Sequence, residues 1–402
     1  MSTVVDARTP VGGKLISRIA IAAACACTLV LGNADASGAA PVGVTVLPPP
    51  SGQSPVGTTV LHLVDESRQD PFQPDRPREL MVSVFYPAAD VGTHPRAHYA
   101  STEFVPGLEK RLGVEFPGLL TNSYTETPAL TDSAHPVILY SPGGGVSRLL
   151  GTGQAEDLAS RGYVVVTIDH TYEAPAVEFP GGRVASAAPV DGGIGKDIRQ
   201  KFMAVRLLDT RFVLDSLTQL AGGANPDADH RELPAGLDRA IDLDHVGMVG
   251  HSSGGYTAVE AMHGDRRIDA AVDLDGQIGV DEQFGRAVTE GVDRPVLVMT
   301  SQQIEEVGDA KPSLDAFWQH AAGWKREVTM RDSAHYDFTD MPVLVPAAVQ
   351  PAAARYIGPM SAQRSTALVH TYVAAMFDKF LRNRPGTVLD QPPTDPEIVV
   401  LR

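Results

Sequence analysis

Val246-Gly247-Met248-Val249-Gly250-His251-Ser252-Ser253-Gly254-Gly255 decides how the rest of this 402-residue chain is read. An apolar run of strand character enters a G-x-S-x-G pentapeptide, and the helical pattern Tyr256 to Met262 leaves it. A serine on a sharp turn between strand and helix projects from the end of the strand, and close packing of strand against helix requires small residues on either side of it. Gly250 and Gly254 supply them, so Ser252 is the candidate nucleophile, while Ser253 occupies the wrong motif position for that role.

Outward from the turn, apolar runs recur at 136–140, 164–168, 246–249, 270–274 and 296–299, separated by stretches long enough for helices. That alternation predicts an α/β fold with a mainly parallel sheet buried on both faces. Thr58 to Val64 and Leu80 to Tyr86 alternate as earlier strands able to pair antiparallel. The clearest helix runs from about Ile198 to Leu220, with Phe202, Val205, Leu208, Phe212, Leu217 and Leu220 near helical spacing, and a second spans Ser361 to Leu381. No repeat or long linker divides the chain, so the expectation is one catalytic domain over 57–382, preceded by a flexible Pro/Gly/Ser-rich stretch at 37–56 and followed by a surface tail at 383–402.

At the amino end, Arg8, Lys14 and Arg18 precede the apolar run Ile19 to Leu31 and the small residues Ala34-Asp35-Ala36. This is the order of a secretory signal, and the run is shorter than the ~20 residues that span a bilayer. Residues 1–36 are therefore expected to be a signal peptide and the protein to be secreted. Cys25 and Cys27 are the only cysteines and lie inside that segment, which removes disulfides, thiolate nucleophiles and cysteine metal sites from the mature chain. A net charge of −16 opposes attraction to phosphate backbones, so nucleic acid is not an expected partner.

A serine hydroxyl needs a base, and the base needs a buried acceptor to hold its tautomer; on this kind of turn the chain order is serine, acid, histidine. Four histidines follow Ser252. His263 falls in the helix of the turn, His320 and His370 fall in helical patterns, and His335 alone sits in a loop, Arg331 to Phe338, directly after the strand-like Glu327 to Met330. A loop after a parallel strand opens at the carboxyl edge of the sheet, where Ser252 is also expected. Asp275 closes the run 270–274 at that edge; Asp273 is expected on the same face lower down, and Glu305 and Glu306 after the next strand are the competing acids. Asp332 and Asp337 are expected to brace the histidine loop. Acyl transfer also requires two donors for an oxyanion. The Ser253 amide is one, and the glycines closing Val137 to Gly145 provide the other, assigned to Gly144. Asp169 to Glu173 ends a strand beside this cleft, either to meet substrate or to shape a loop.

These residues resemble the plasma-type (group VII) platelet-activating factor acetylhydrolases and their bacterial relatives, over roughly residues 55 to 382. The G-H-S-x-G-G elbow of that family looks like Gly250 to Gly255, its L-D segment like Leu274-Asp275, and its S-x-H-x-x-F segment like Ser333 to Phe338. Its H-G-x-G oxyanion loop resembles Ser141 to Gly145, with Pro142 in place of the histidine. The resemblance implies an α/β-hydrolase fold with nucleophile Ser252, acid Asp275 and base His335. It further implies calcium-independent cleavage, without cofactor or metal, of short or oxidised sn-2 acyl groups from phospholipids. The partner is then a lipid or ester substrate, with transient contact to a lipid surface. A broader lipase, esterase or polyester hydrolase is the alternative, because substrate transfers less safely than chemistry on a shared fold. A noncatalytic fold that binds lipid or protein is the rival of another class, and the intact set Ser252, Asp275 and His335 argues against it. Phe104, Leu108, Leu112, Phe116 and Leu120 lie at near-helical spacing and fit an inserted lid or lipid-facing patch as well as ordinary packing does.

Overall fold

A computed structural model describes residues 47–101, 119–189, 195–280, 283–304, 310–345 and 354–402. The expected signal peptide and residues 104–118 of the expected lid lie outside the described residues, as do Glu305 and Glu306.

In chain order the strands are β1 (Val56–Gln69), β2 (Pro77–Pro87), β3 (Arg96–His98), β4 (Leu120–Thr125), β5 (His135–Ser141), β6 (Val164–Asp169), β7 (Ala176–Phe179), β8 (Arg183–Ser186), β9 (Ile241–His251), β10 (Ile268–Leu274), β11 (Gly279–Val280), β12 (Gln283–Phe284), β13 (Val296–Ser301), β14 (Lys325–Met330) and β15 (Ile398–Val400). Among the described residues, eleven form one sheet in the order β15-β14-β13-β10-β9-β5-β6-β2-β1-β4-β3, and β7–β8 and β11–β12 form separate hairpins. From β6 through β14 the neighbours run parallel. β1 pairs antiparallel with β2, as expected, with Thr58 opposite Phe85 and Leu63 opposite Leu80, and β2 joins the parallel part by pairing antiparallel with β6. This is the mostly parallel, two-sided sheet of an α/β-hydrolase.

The main helices are α1 (Thr152–Ser160), α2 (Lys196–Ala221), α3 (Ser253–Gly264), α4 (Ala310–His320) and α5 (Ala362–Leu381). Successive strand residues point to opposite faces, and both faces are covered, which is why the strands read as unbroken apolar runs. Val137 and Leu139 of β5 join Val213, Leu217, Val259 and Phe317 from α2, α3 and α4 in one core. Ile138 and Tyr140 join Leu158, Val373 and Phe377 from α1 and α5 in the other. Ser361 caps α5 by accepting from the Arg364 amide, where the sequence placed the helix start.

Four expectations change. Leu208, read into the apolar stripe of α2, is 49% exposed, since its helical position lies beyond the arc that meets the sheet. Leu120 opens β4 and so does not close a helical stripe. The described part of the stretch expected to be flexible is docked on α1: Ser51 and Gly52 amides donate to Asp157 Oδ1 (2.8 Å) and Ser160 Oγ (2.9 Å). The expected surface tail returns to the sheet as β15, antiparallel to β14, where backbone pairing substitutes for a periodic side-chain signal.

Phe377 is fully buried against Gly247, whose hydrogen leaves room that a methyl, 2.4 Å from the Phe377 ring, would not. Phe377→Ala should lower the unfolding free energy by ~3–5 kcal/mol, through lost burial and the cavity left under β9. Urea unfolding checks this, and an unchanged midpoint would show that α5 does not rely on this contact.

Candidate active site

β9 delivers Ser252 to the carboxyl edge of the sheet, and α3 starts at the next residue. Ser252 has φ 56° and ψ −121°, a conformation that L-residues avoid and that persists only where the surroundings fix it. Its amide donates to Leu274 O (2.8 Å) and its carbonyl accepts from Gly255 N (2.9 Å). The flanking glycines follow from space: a Cβ on Gly250 would lie 2.1 Å from the Gly254 carbonyl carbon, and one on Gly254 would lie 1.9 Å from Ser141 O.

Asp275 follows β10, and its φ of 54° takes its side chain out of the strand's alternation. Its amide donates to Met299 O (2.7 Å), its Oδ1 accepts from Ser301 N (2.5 Å), and its Oδ2 lies 2.7 Å from His335 Nδ1. The Asp275 side chain is 1% exposed and that of His335 is 28% exposed, so the carboxyl is sequestered while the imidazole remains reachable. A proton on Nδ1, donated to Asp275, leaves Nε2 free to accept one. Asp273 takes a different direction from the one expected: its Oδ1 accepts from Gly276 N (2.9 Å) and abuts Gly255 of α3. Burial, and then the charge of Asp275, pushes its carboxyl well above the usual range.

The other histidines after the elbow are engaged elsewhere. His263 Nε2 is 3.2 Å from Glu290, His320 Nδ1 faces Ala316 O at 2.9 Å, and His370 Nδ1 is 3.6 Å from Asp157. Asp337 braces the His335 loop by accepting from the Ala334 and Gly358 amides, both at 2.7 Å. Asp332 contributes its backbone, its amide donating to Gln302 Oε1 (3.0 Å).

Ser253 opens α3, so its amide is one of those that a helix leaves without an internal acceptor. Gly144 packs against that turn: a Cβ there would lie 3.0 Å from Ser253 Oγ and 3.7 Å from Glu173 Oε1. Asp169 to Glu173 shapes the loop. Arg206 of α2 forms an ion pair with Glu173 and donates to the carbonyls of Pro142 and Gly143, and His170 bridges Ser141 Oγ and Asp209. Sequence reasoning missed Arg206 and Asp209, whose signal was charge at inward positions of an apolar stripe. It also missed His251, whose only signal was its place before Ser252. Its Nε2 donates to His335 O (2.8 Å), and the two rings lie 4.5 Å apart.

Burial, and then the adjacent His335, hold the His251 imidazole well below its ordinary 6.5. Folded protein therefore resists protonating His251 while unfolded chain takes up the proton near pH ~6.5, so the stability tied to this group is full above that pH and falls on acidification. His251→Gln should remove that part of the loss, up to ~1.4 kcal/mol per pH unit. Urea unfolding at about pH 7.5 and about pH 5.5 tests it; an equal loss in both proteins would place the acid sensitivity elsewhere.

A family model described as "Platelet-activating factor acetylhydrolase, isoform II" matches residues 195–382. A probable 1-alkyl-2-acetylglycerophosphocholine esterase of Arthroderma benhamiae is 28% identical, over 89% of this chain and 94% of that protein. The platelet-activating factor acetylhydrolase of Cavia porcellus is 24% identical over 64% of this chain and 62% of its own length. The solved structure of a ferulic acid esterase from Streptomyces cinnamoneus superposes with a TM-score of 0.76 at 36% identity, covering 89% of this chain and 100% of that one.

Proposed function

The chain belongs to the platelet-activating factor acetylhydrolase family and is a carboxylic-ester hydrolase, and from that premise we propose that it works through Ser252, His335 and Asp275 on short sn-2 acyl groups of phospholipids. The observation that carries the reading is the 2.7 Å pairing of His335 Nδ1 with buried Asp275, at the sheet edge where Ser252 is held in a strained turn.

In this mechanism His335 Nε2 takes the Ser252 hydroxyl proton as Oγ attacks the ester carbonyl, and Asp275 stabilises the imidazolium that results. Negative charge moves onto the carbonyl oxygen, where the Ser253 and Gly144 amides receive it. Collapse expels the alcohol, which leaves with the proton from His335, and an acyl-enzyme remains. Water then gives a proton to His335, attacks the acyl carbonyl, and releases the acid as Ser252 regains its hydrogen.

The 28% identical fungal relative, matched over nearly its whole length, supports the phospholipid substrate by its name. The 36% identical ferulic acid esterase favours a second reading, cleavage of hydroxycinnamoyl esters. Export rests on the order of Arg8, Lys14, Arg18, the apolar run 19–31 and Ala34-Asp35-Ala36. Among the described residues no helix is long and apolar enough to cross a membrane.

kcat/KM on 2-acetyl phosphatidylcholine, 2-palmitoyl phosphatidylcholine and methyl ferulate separates the substrates. Preference for acetyl supports the proposal, preference for ferulate supports the second reading, and preference for palmitoyl indicates a broader lipase. Ser252→Ala should be inactive on every ester while unfolding like the wild type, and wild-type turnover would remove Ser252 from the nucleophile's role. Asp275→Asn should lose activity on the scale of the ~10⁴-fold drop known for the same change in a serine protease triad.

A further inference from the structure

Three successive glycines, Gly143, Gly144 and Gly145, close the loop after β5, and such a segment does not hold a peptide plane by itself. The structure fixes it from behind. Arg206 is 1% exposed, and every N–H of its guanidinium is used. Nε donates to Glu173 Oε2 (2.7 Å); Nη1 donates to Pro142 O (2.6 Å) and Ser141 Oγ (3.1 Å); Nη2 donates to Gly143 O (2.9 Å) and Glu173 Oε1 (2.8 Å). Three of these five bonds land on consecutive residues of the loop.

The consequence for Gly144 follows from amide geometry. In a trans peptide the carbonyl and the next N–H point in opposite directions from one rigid plane. Fixing Gly143 O on Arg206 therefore turns the Gly144 N–H away from the guanidinium, and fixing Pro142 O does the same for the Gly143 N–H. The Val146 amide, donating to the same Gly143 oxygen at 3.2 Å, closes the turn over it.

The clamp is itself anchored. Ser141 Oγ accepts from Arg206 and donates to His170 Nε2 (3.0 Å), and His170 Nδ1 donates to Asp209 Oδ2 (3.0 Å). Asp209 also accepts from Arg78 Nη2 (2.7 Å) and Arg68 Nη2 (2.9 Å). Burial, and then the Arg206 charge, lowers the His170 pKa, which keeps the imidazole in the neutral form that this chain of donors needs.

We infer that Arg206 is a positioning residue for ester hydrolysis, holding the Ser141–Gly145 loop so that the Gly144 amide is preset toward the oxyanion. The inference rests on the proposed site, in which Gly144 is an oxyanion donor. Arg206 touches neither substrate nor Ser252 in this role; it acts through the peptide that it pins.

The test uses full-length protein and p-nitrophenyl acetate. Arg206→Lys keeps the charge, but a single ammonium cannot hold two carbonyls and both Glu173 oxygens. Deleting an oxyanion donor outright costs ~10²–10³ in kcat, so a loosened donor should cost roughly 10- to 100-fold. That loss should fall on kcat with KM nearly unchanged, and the pH–rate profile should keep its position because the His335–Asp275 pair is untouched. A trifluoromethyl ketone, which forms an oxyanion on Ser252, should weaken by the same factor as kcat/KM. Glu173→Gln loosens the clamp from its far side without altering the loop and should give a smaller loss of the same kind, and it carries the test if Arg206→Lys does not fold. Wild-type kcat in either folded variant would overturn the inference, as would a loss confined to KM or one that shifts the pH profile. Ser252→Ala, assayed in parallel, separates the two levels. If it turns over like the wild type, the site reading fails; if it is dead while Arg206→Lys is unimpaired, only the clamp fails.

Discussion

Where β9 turns into α3, three segments of backbone come closer than any side chain permits. Gly250 packs on Gly254, and Gly254 packs on the carbonyl of Ser141 at the end of β5. A methyl at either position would overlap backbone atoms, 2.1 Å from the Gly254 carbonyl carbon or 1.9 Å from Ser141 O, and backbone cannot move aside as a side chain can. This contact forces the turn to be tight enough that Ser252 adopts φ 56°, and it draws the loop after β5 against the first turn of α3. Ser252, the proposed nucleophile, and the glycine loop proposed to hold the oxyanion are thus set by one steric constraint. The strain at Ser252, of order ~1–3 kcal/mol, is sustained by its bond to Leu274 O and by the two apolar cores beneath the sheet.

The histidine and the acid depend on a different feature, the ordering of parallel strands. β9, β10, β13 and β14 are neighbours in that order, so the residues after each of them emerge side by side at one edge. Asp275 bonds to Ser301 at the end of β13 and faces His335 from the loop after β14. Each supporting contact comes from the next strand along. The Asp275 side of the pair is therefore fixed by the sheet, and the loop that carries His335 is fixed by Asp337, which accepts from the Ala334 and Gly358 amides.

Behind the glycine loop the fold does something that apolar packing cannot. Arg78, Asp209, His170, Arg206 and Glu173 are buried among strands and α2. Burying charges brings little net stability, since the attraction must first offset desolvation, but removing one partner of such a pair costs ~3–5 kcal/mol. Burial opposes the charge on both groups, and the Arg78–Asp209 attraction outweighs it, holding the Asp209 carboxyl below the usual range and the Arg78 guanidinium above its own. A network of this kind specifies one arrangement more than it adds to stability.

How much of this could be read from sequence follows from the same physics. Strands buried on both faces leave apolar runs, α5 leaves a cap and a stripe, and a steric requirement for glycine leaves glycines, so the sheet and the elbow were legible. Asp275 and His335 could be expected at one edge because strand ends and loops are local, and there the two meet. Arg206 could not be placed, because its partners are backbone carbonyls, which have no identity in sequence, and two distant side chains, Glu173, 33 residues away, and Ser141, 65 residues away. β15 was missed because an edge strand of three residues pairs through its backbone and carries little pattern. That Asp273 and Asp275 point different ways could not be read, because it depends on a single positive φ at Asp275.

The substrate lies beyond all of these signals for a chemical reason. An acetylated phospholipid and a ferulate ester present the same reacting atoms: a carbonyl carbon, its oxygen and a leaving alcohol. In the proposed mechanism Ser252, His335, Asp275 and the two amides address only those atoms, so that arrangement is indifferent to what is attached on either side. The two esters differ in where their bulk sits. A hydroxycinnamoyl group is a long planar acyl chain, whereas the phospholipid has a two-carbon acyl group and carries its mass and charge on the alcohol. Differential binding between them must come from the walls around those atoms: on the acyl side, where the hydroxycinnamoyl group fills space that a two-carbon group leaves empty, and on the alcohol side, where the phospholipid carries its bulk and charge. Proteins similar to this chain can therefore carry different names, as the probable 1-alkyl-2-acetylglycerophosphocholine esterase and the ferulic acid esterase do.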